Sequence, residues 1–201
     1  MNRIEEFFKE IANGDLNKIR FFIENGVDIN EKDVNGQTAL MVAVMNNYPA
    51  VVKYLLENKA DVNAYGIHTE DRNPINYASA NGLLDVVKIL LEYKPNMKLL
   101  NIYGGTPLIP ACEQGYYEVA KILLEKTDVE VNHINKLGYT ALYEVTFLPN
   151  RGEKYADITN LLIKHGADIN IKDKNGKTPL EIARKNGLTS IVDILEKTRN
   201  N

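Results

Sequence analysis

The chain has little of several features that would point to particular classes of protein. Its one cysteine, Cys112, excludes an internal disulfide and is typical of a reducing compartment. The formal net charge is −3, so the chain lacks the basic excess that grips a phosphate backbone. No window approaches the apolar run of about 18 residues expected of a membrane-spanning helix. We therefore predict neither a nucleic-acid partner nor a membrane partner.

The N-terminus also lacks the uninterrupted apolar stretch of a signal peptide. The segment MNRIEEFFKEIANGD places acidic residues where that stretch would stand. Together with the single cysteine, this predicts a cytoplasmic location. The chain has 201 residues, 44% of them hydrophobic and 25% charged. That length is enough for one or two folded domains with a substantial core.

What the chain does have is internal repetition. A similar segment recurs five times, and each copy is followed by an apolar pattern of helical period and then by an Asp/Asn-rich return. The first repeat, ANGDLNKIRFFIENGVDIN (12–30), keeps only the later parts. The five copies are NGQTALMVAV (35–44), DRNPINYASA (71–80), YGGTPLIPAC (103–112), LGYTALYEVT (137–146) and NGKTPLEIAR (175–184).

In these motifs the chain resembles the ankyrin repeat family, whose repeat is about 33 residues long and carries T-P-L-H-x-A. The segments GKTPLEIA and GADINIKD are the most specific matches, and six units cover nearly the whole chain. With Thr38, Asn73, Thr106, Thr140 and Thr178 as equivalent positions, the spacings are 35, 33, 34 and 38 residues. The resemblance implies an all-α ankyrin-repeat solenoid of stacked helix-turn-helix units with short β-hairpin finger loops.

One such unit could not bury its apolar face alone, so stacked neighbours must share a continuous core. We therefore predict a single ankyrin repeat domain over residues 1–201, with capping repeats at both ends. The approximate repeats are 1–33, 34–66, 67–101, 102–135, 136–173 and 174–201.

The residues of the repeats support helix pairs independently of the resemblance. A threonine can cap the first helix through its hydroxyl, a leucine or isoleucine two residues later faces the core, and an alanine three residues further on allows close helix packing. Glycines at the join between the helices suit a positive φ. The predicted caps are Thr38, Thr106, Thr140 and Thr178, and the join glycines are Gly82, Gly115 and Gly187.

No group of residues predicts catalysis or a cofactor. The tripeptide Gly176-Lys177-Thr178 resembles the end of a P-loop, but the glycine required five residues earlier is Ile171. Cys112 follows a packing alanine and is interpreted as a small buried thiol.

The three histidines do not predict a metal site. His68, His133 and His165 lie in different repeats, without metal-ligand spacing, and are interpreted as loop and surface residues. We expect no enzyme activity, no cofactor and no metal.

The resemblance also implies a protein-binding scaffold, in which the fingers and the adjoining face of the first helices form a concave surface. At these positions the outer repeats are polar, with a basic C-terminal end, whereas the middle repeats carry apolar and aromatic side chains. Polar turn residues would suffice for folding, so an exposed apolar patch indicates an interaction site. The predicted partner-binding residues are Tyr65, Ile67, Leu100, Ile102, Tyr103, Glu113, Ile134, Leu137, Tyr139, Glu144, Phe147 and Leu148.

Three interpretations of this patch remain open: contact with a protein partner, packing of fingers on one another, and self-association. The leading hypothesis is a monomeric, non-enzymatic adaptor, scaffold or inhibitor that binds a protein through the concave surface of repeats 3–5. The alternative is an assembly component that uses the same patch on itself. A small-ligand binder or enzyme would need a convergent polar constellation, and none is evident in the sequence.

The fifth repeat carries an insertion in TFLPNRGEKYAD (146–157). Thr140 precedes Ile158 by 18 residues, whereas the equivalent pair in the fourth repeat is separated by 13. Pro149 and Gly152 predict a turn rather than a longer helix, with residues 150–154 at the solvent edge. Deletion of 149–153 is expected to leave a folded protein.

Overall fold

The computed structural model describes residues 2–66, 73–149 and 152–200. In these ranges the chain forms helices that follow one another in pairs, and its only bridge pairing is an isolated antiparallel one between Lys32 and Thr38. The helices are α1 (Arg3–Asn13), α2 (Leu16–Glu24), α3 (Ala39–Met45), α4 (Pro49–Glu57), α5 (Pro74–Ala80), α6 (Leu84–Glu92), α7 (Leu108–Glu113), α8 (Tyr117–Lys126), α9 (Ala141–Phe147), α10 (Glu153–Lys164), α11 (Pro179–Lys185) and α12 (Thr189–Arg199).

The chain divides into two compact units. The first comprises Met1–Ala78 and Leu83–Asn101, and the second comprises Ser79–Gly82 and Ile102–Asn201. In the first unit, α3 packs against α1 and α4, and α4 packs against α6. In the second unit, α9 packs between α7 and α11, while α10 contacts α8 and α12. The single domain predicted for residues 1–201 stays a prediction.

The predicted core positions are buried. The leucine or isoleucine of each first helix is at most 7% exposed, and the alanine three residues later is fully buried. Cys112 is also fully buried, and this burial raises the pKa of its thiol, which confirms the interpretation as a packing residue. The core residues concerned are Leu40, Ile75, Leu108, Leu142 and Leu180, with Ala43, Ala78, Ala111 and Ala183.

Three of the four predicted threonine caps are present. The hydroxyl of Thr38 accepts from Met41 N at 3.3 Å, and that of Thr140 accepts from Tyr143 N at 3.1 Å. Thr178 forms a full capping box, in which the Glu181 carboxylate accepts in return from Thr178 N at 2.9 Å.

Thr106 is the exception, and its predicted cap is wrong. Its hydroxyl has no hydrogen-bond partner within the described ranges. Pro110 has no N–H, so it cannot donate the usual helical bond to the carbonyl of Thr106. That carbonyl accepts instead from Ile109 N at 3.2 Å, which is the N–H that a cap hydroxyl would have taken. Helix α7 accordingly begins only at Leu108.

The join glycines adopt the predicted left-handed conformation, and a tyrosine ring lies against each of Gly14, Gly82 and Gly115. Gly82 has a φ of 67°, and a Cβ built there would lie 2.7 Å from the ring of Tyr116. Gly14 has the same relation to Tyr48, whose hydroxyl also donates to Ala12 O at 3.3 Å. Each tyrosine comes from a later repeat than its glycine, so the contact joins repeats.

The insertion in the fifth repeat partly extends a helix, which corrects the prediction of a turn alone. Helix α10 begins five residues before Ile158, whereas α8 begins two residues before the equivalent Val119. Three inserted residues therefore lengthen the helix, and the other two lengthen the linker that precedes it. Residues 150 and 151 of this linker lie outside the described ranges. The added turn places Tyr155 against Gly115, with its hydroxyl donating to Glu113 O at 3.2 Å.

Candidate protein-binding surface

The surface of the second unit is built on three finger loops, which we name finger A (102–105), finger B (132–139) and finger C (170–177). In finger B, Asn135 Oδ1 accepts from the N–H groups of Leu137 and Tyr139 at 2.9 and 3.0 Å. In finger C, Asp173 Oδ1 accepts from Asn175 N at 2.9 Å and from Lys177 N at 2.7 Å. A short polar side chain thus holds the turns of fingers B and C from inside.

Lysine side chains and a histidine tie the fingers to one another. Lys136 donates through its backbone N to Tyr103 O and through Nζ to Ile102 O, at 2.8 and 2.9 Å. Lys174 Nζ repeats the contact one finger later, on Lys136 O at 2.6 Å. His133 Nε2 donates to Gly104 O at 2.7 Å, so this loop histidine joins fingers A and B.

The finger tips leave large apolar side chains in solvent. Tyr103, Ile134 and Leu137 are 42%, 51% and 47% exposed, and Phe147 and Leu148 at the end of α9 are similarly exposed. Five of the predicted partner-binding residues are thus exposed apolar side chains, and their contact with a partner stays a prediction. An exposed apolar cluster of this kind is typical of a surface that contacts another molecule.

Three aromatic rings, one at the end of finger B and two on α9, lie beside one another, and we name Tyr139, Tyr143 and Phe147 the aromatic row. The rings of Tyr139 and Tyr143 stack with centroids 4.4 Å apart and planes 10° apart. Phe147 lies 5.3 Å from Tyr139 and 6.1 Å from Tyr143. Tyr143 is buried while Tyr139 is half-buried, so the row offers its outer rings for contact on a rigid base.

A buried hydrogen bond holds the row to finger C. The Tyr143 hydroxyl donates to Asp173 Oδ2 at 2.8 Å. Burial and this bond raise the pKa of Tyr143, so the phenol stays protonated. For Asp173, burial acts to raise the pKa, but the hydrogen bonds from Lys177 N, Tyr143 and Asn175 outweigh it and lower the pKa. The carboxylate is therefore stabilised in its ionised form.

Between the aromatic row, finger C and α11 lies an open cleft of about 450 Å³. Asn186 on its α11 side donates through Nδ2 to Thr146 O at 2.9 Å and to Phe147 O at 2.8 Å. These carbonyls end α9, where Pro149 offers no N–H, so Asn186 satisfies them from the next repeat. Lys177, Glu181 and Lys185 complete the polar side of the cleft.

Glu144 corrects the sequence prediction. We expected it on an exposed or partly exposed side of its helix, but it is only 6% exposed. Helix α9 has neighbours on both sides, α7 and α11, which leaves few of its positions open. After burial itself, the charge of Glu144 also acts to raise the pKa of Cys112 in α7.

The remaining predicted residues are less exposed or lie elsewhere. Ile102 and Glu113 are half-buried in the second unit, and their carbonyls accept the bonds from Lys136 and Tyr155. In the first unit, the Tyr65 hydroxyl donates to the carbonyl of half-buried Leu100 at 3.3 Å, which is a finger-to-finger contact. Ile67 and His68 lie outside the described residues.

Sequence reasoning missed the buried parts of this surface. Tyr143 and Asp173 were not among the predicted residues, although the spacing of 139, 143 and 147 places three aromatic residues on one helical stripe. No sequence signal pairs Tyr143 with Asp173 or Asn186 with the end of α9, because these contacts join residues 30 to 40 positions apart.

Comparison with protein families identifies the repeat. A model of three ankyrin repeats matches residues 8–66 and 64–135, and a single ankyrin repeat matches residues 137–174. The chain belongs to the ankyrin repeat family. Its fold is the all-α ankyrin-repeat solenoid fold that the sequence predicted. Ankyrin repeats are generally protein–protein interaction modules.

Relatives and solved structures agree over nearly the whole chain. YahD of Escherichia coli, itself named for its ankyrin repeats, is 38% identical over 90% of each chain. A crystal structure of an ankyrin repeat domain from Acinetobacter baumannii is 38% identical, with a TM-score of 0.91 over 96% of this chain and 97% of that one. Several longer relatives also match, and this ankyrin chain spans only 9–26% of their length.

A further neighbour comes from a protein complex. It is a chain from the structure of the predatory endopeptidase Bd0816 of Bdellovibrio bacteriovorus in complex with the immunity protein Bd3460. It is 28% identical, with a TM-score of 0.80 over 95% of this ankyrin chain and 96% of that chain.

The part of the chain that the structure describes lacks two further features. None of its helices is long and apolar enough to cross a membrane. No group of three or more His, Cys, Asp or Glu side chains within the same ranges could hold a metal ion.

Proposed function

We propose that this ankyrin repeat chain is a non-enzymatic protein-binding module that binds its partner through the finger tips and the aromatic row of the second unit. The observation that carries the proposal is the presence, in one unit, of exposed apolar tips at Tyr103, Ile134 and Leu137 and of the cleft beside the aromatic row. Folding alone does not require these side chains in solvent. Aromatic residues on a rigid base are favoured anchors in protein interfaces.

The rigidity of the fingers supports the same proposal. Their turns are held by Asn135 and Asp173, and neighbouring fingers are tied by Lys136, Lys174 and His133. A surface that is ordered before binding loses less conformational entropy when the partner arrives. The neighbour from the endopeptidase–immunity protein complex adds that a chain of this fold occurs in a protein–protein complex.

The proposal includes a monomeric state, and a cytoplasmic location as the single cysteine and the N-terminal segment predict. The part of the predicted surface in the first unit, at Tyr65 and Leu100, stays a prediction. Self-association through the same tips is the second candidate, because exposed apolar tips could also meet those of another copy. Sedimentation at micromolar concentration separates the two, since a strict monomer contradicts self-association.

The test of the surface uses a partner obtained by affinity capture from the native host, identified by mass spectrometry and then purified. The double variant Tyr103→Ala, Tyr139→Ala should weaken binding by about 2 kcal/mol or more. The matched control, Tyr93→Ala with Tyr117→Ala, removes two half-buried tyrosines from other positions and should leave affinity unchanged. Unchanged affinity in the first variant, with the fold intact by circular dichroism, would contradict this location.

A further inference from the structure

Finger C and α11, which border the cleft, carry exposed lysines without carboxylate partners. The side chains of Lys172 and Lys185 make no hydrogen bond or ion pair within the described ranges. Lys136 and Lys174 donate through Nζ to backbone carbonyls, which leaves their charge unmatched by an acid. Within the same ranges, Lys177 is the one finger lysine with an acidic partner, Glu181, at 3.4 Å. The ammonium groups thus add a local positive charge to a chain whose net charge is −3.

The carboxylates beside the cleft are already occupied. Asp173 accepts from the N–H groups of Asn175 and Lys177 on one oxygen, and from Tyr143 and the Asn175 amide on the other. Glu181 accepts from Thr178 N at 2.9 Å and from its hydroxyl at 3.2 Å. A cationic ligand would have to displace these internal donors. The ammonium groups of Lys172 and Lys185, by contrast, keep all their donors available to an anionic ligand.

The apolar part of the cleft accepts a side chain rather than a flat surface. Its volume of about 450 Å³ lies between the outer rings of the aromatic row and α11. Tyr139 and Phe147 present ring surface there. An aromatic or aliphatic side chain would gain ring contacts in this space.

We infer that the cleft binds an acidic segment of a protein partner, in which one aromatic or aliphatic side chain enters beside the aromatic row and flanking carboxylates pair with Lys172, Lys174 and Lys185. The inference rests on the proposed function, because it names the chemistry of the partner for the same surface. The unmatched lysines select against a basic segment, and the outer rings provide the anchor contact.

The probe is a short synthetic peptide with a central Phe-Leu pair flanked by glutamates and aspartates, labelled for fluorescence anisotropy. One control peptide replaces the acids by lysines, and a second replaces the Phe-Leu pair by glycines. The acidic anchored peptide should bind at least about tenfold more tightly than either control. Raising the salt from about 0.05 M to about 0.5 M should weaken it, because the exposed ion pairs are screened.

Charge reversal in the protein locates the binding site. Lys172→Glu with Lys185→Glu should weaken the acidic peptide by about tenfold or more. The matched control, Lys53→Glu with Lys164→Glu, changes the net charge equally on the second helices α4 and α10 and should leave binding within about twofold. Thermal unfolding of both variants checks that they remain folded. A larger loss of peptide binding in Lys172→Glu with Lys185→Glu than in the control supports the inference. Equal losses in the two variants overturn it.

Other outcomes also decide the matter. Equal or tighter binding of the basic peptide, absence of binding by every peptide, or self-association that excludes the peptide would each overturn the acidic-segment inference. The purified partner complex then judges the proposed function separately. In one such result, Tyr103→Ala with Tyr139→Ala abolishes partner binding while salt and the lysine reversals leave it unchanged. That result would support the proposed function and refute this inference.

Discussion

The Tyr143 hydroxyl donates a 2.8 Å hydrogen bond to Asp173 Oδ2, across 30 residues of sequence. Both side chains are buried, and the same carboxylate holds finger C through the N–H groups of Asn175 and Lys177. One carboxylate therefore positions both the aromatic row and the adjoining finger. Loss of either partner should loosen the cleft as well as destabilise the fold.

Removal of the Tyr143 hydroxyl measures how much its hydrogen bond to Asp173 stabilises the fold. Tyr143→Phe should lower the free energy of unfolding by about 1–3 kcal/mol, because a buried carboxylate loses a donor that water does not replace. Chemical denaturation gives the value. Tyr117→Phe is the matched control, since the Tyr117 hydroxyl makes no hydrogen bond within the described ranges. Equal small losses in the two variants would show that the Tyr143 bond contributes nothing.

Acidification should reduce the contribution of Asp173 to the free energy of unfolding. Its pKa in the folded chain is lowered, so the unfolded chain, with a pKa of about 3.9, binds the proton more readily. The contribution is complete above that unfolded value and is lost as the pH falls through the folded pKa. The difference in unfolding free energy between the wild type and Asp173→Asn should therefore shrink from about pH 6 to about pH 3. A difference that stays constant would contradict the lowered pKa.

Alanine substitutions at two join glycines distinguish backbone strain from steric conflict. Gly82 and Gly187 have φ values of 67° and 69°, so alanine costs about 1–2 kcal/mol of left-handed strain at either. At Gly187 a Cβ has no neighbour within 4 Å, whereas at Gly82 it would lie 2.7 Å from the Tyr116 ring. Gly82→Ala should therefore destabilise the chain more than Gly187→Ala in thermal or chemical unfolding. The reverse order would refute the close ring contact.

Two buried threonines test the cap of α7. Thr140→Ala should cost about 1 kcal/mol, because Tyr143 N loses its acceptor. Thr106→Ala should cost less, since the Thr106 hydroxyl has no hydrogen-bond partner in the part of the chain that the structure describes. Both substitutions remove the same atoms at nearly the same burial, 1% and 3% exposed. Equal losses in denaturant unfolding would indicate that Thr106 caps its helix after all.

Much of the structure of each repeat could be predicted from residues that are close together in the sequence. The leucine and alanine positions of each first helix, three of the four threonine caps and the left-handed glycines depend on residues a few positions apart. Thr106 departs from this pattern for a reason that is also present in the sequence, because Pro110 removes the N–H on which the regular first turn depends.

The insertion in the fifth repeat shows where prediction from neighbouring residues fails. Pro149 and Gly152 indicated a turn, yet α10 begins at Glu153 and carries Tyr155 back to Gly115 and Glu113. Tyr48 makes the same two contacts, with Gly14 and Ala12, from the linker of an ordinary repeat. The added helical turn thus restores a contact between repeats that the longer linker would otherwise have lost.

The sequence by itself determined the family, the order of the helices and the exposure of the finger tips, because each depends on a short pattern repeated along the chain. The tertiary structure decided that Glu144 is buried, that Asp173 holds Tyr143, and that Asn186 caps the end of α9. These features join successive repeats, and the burial and distance that create them arise only when one repeat packs against the next.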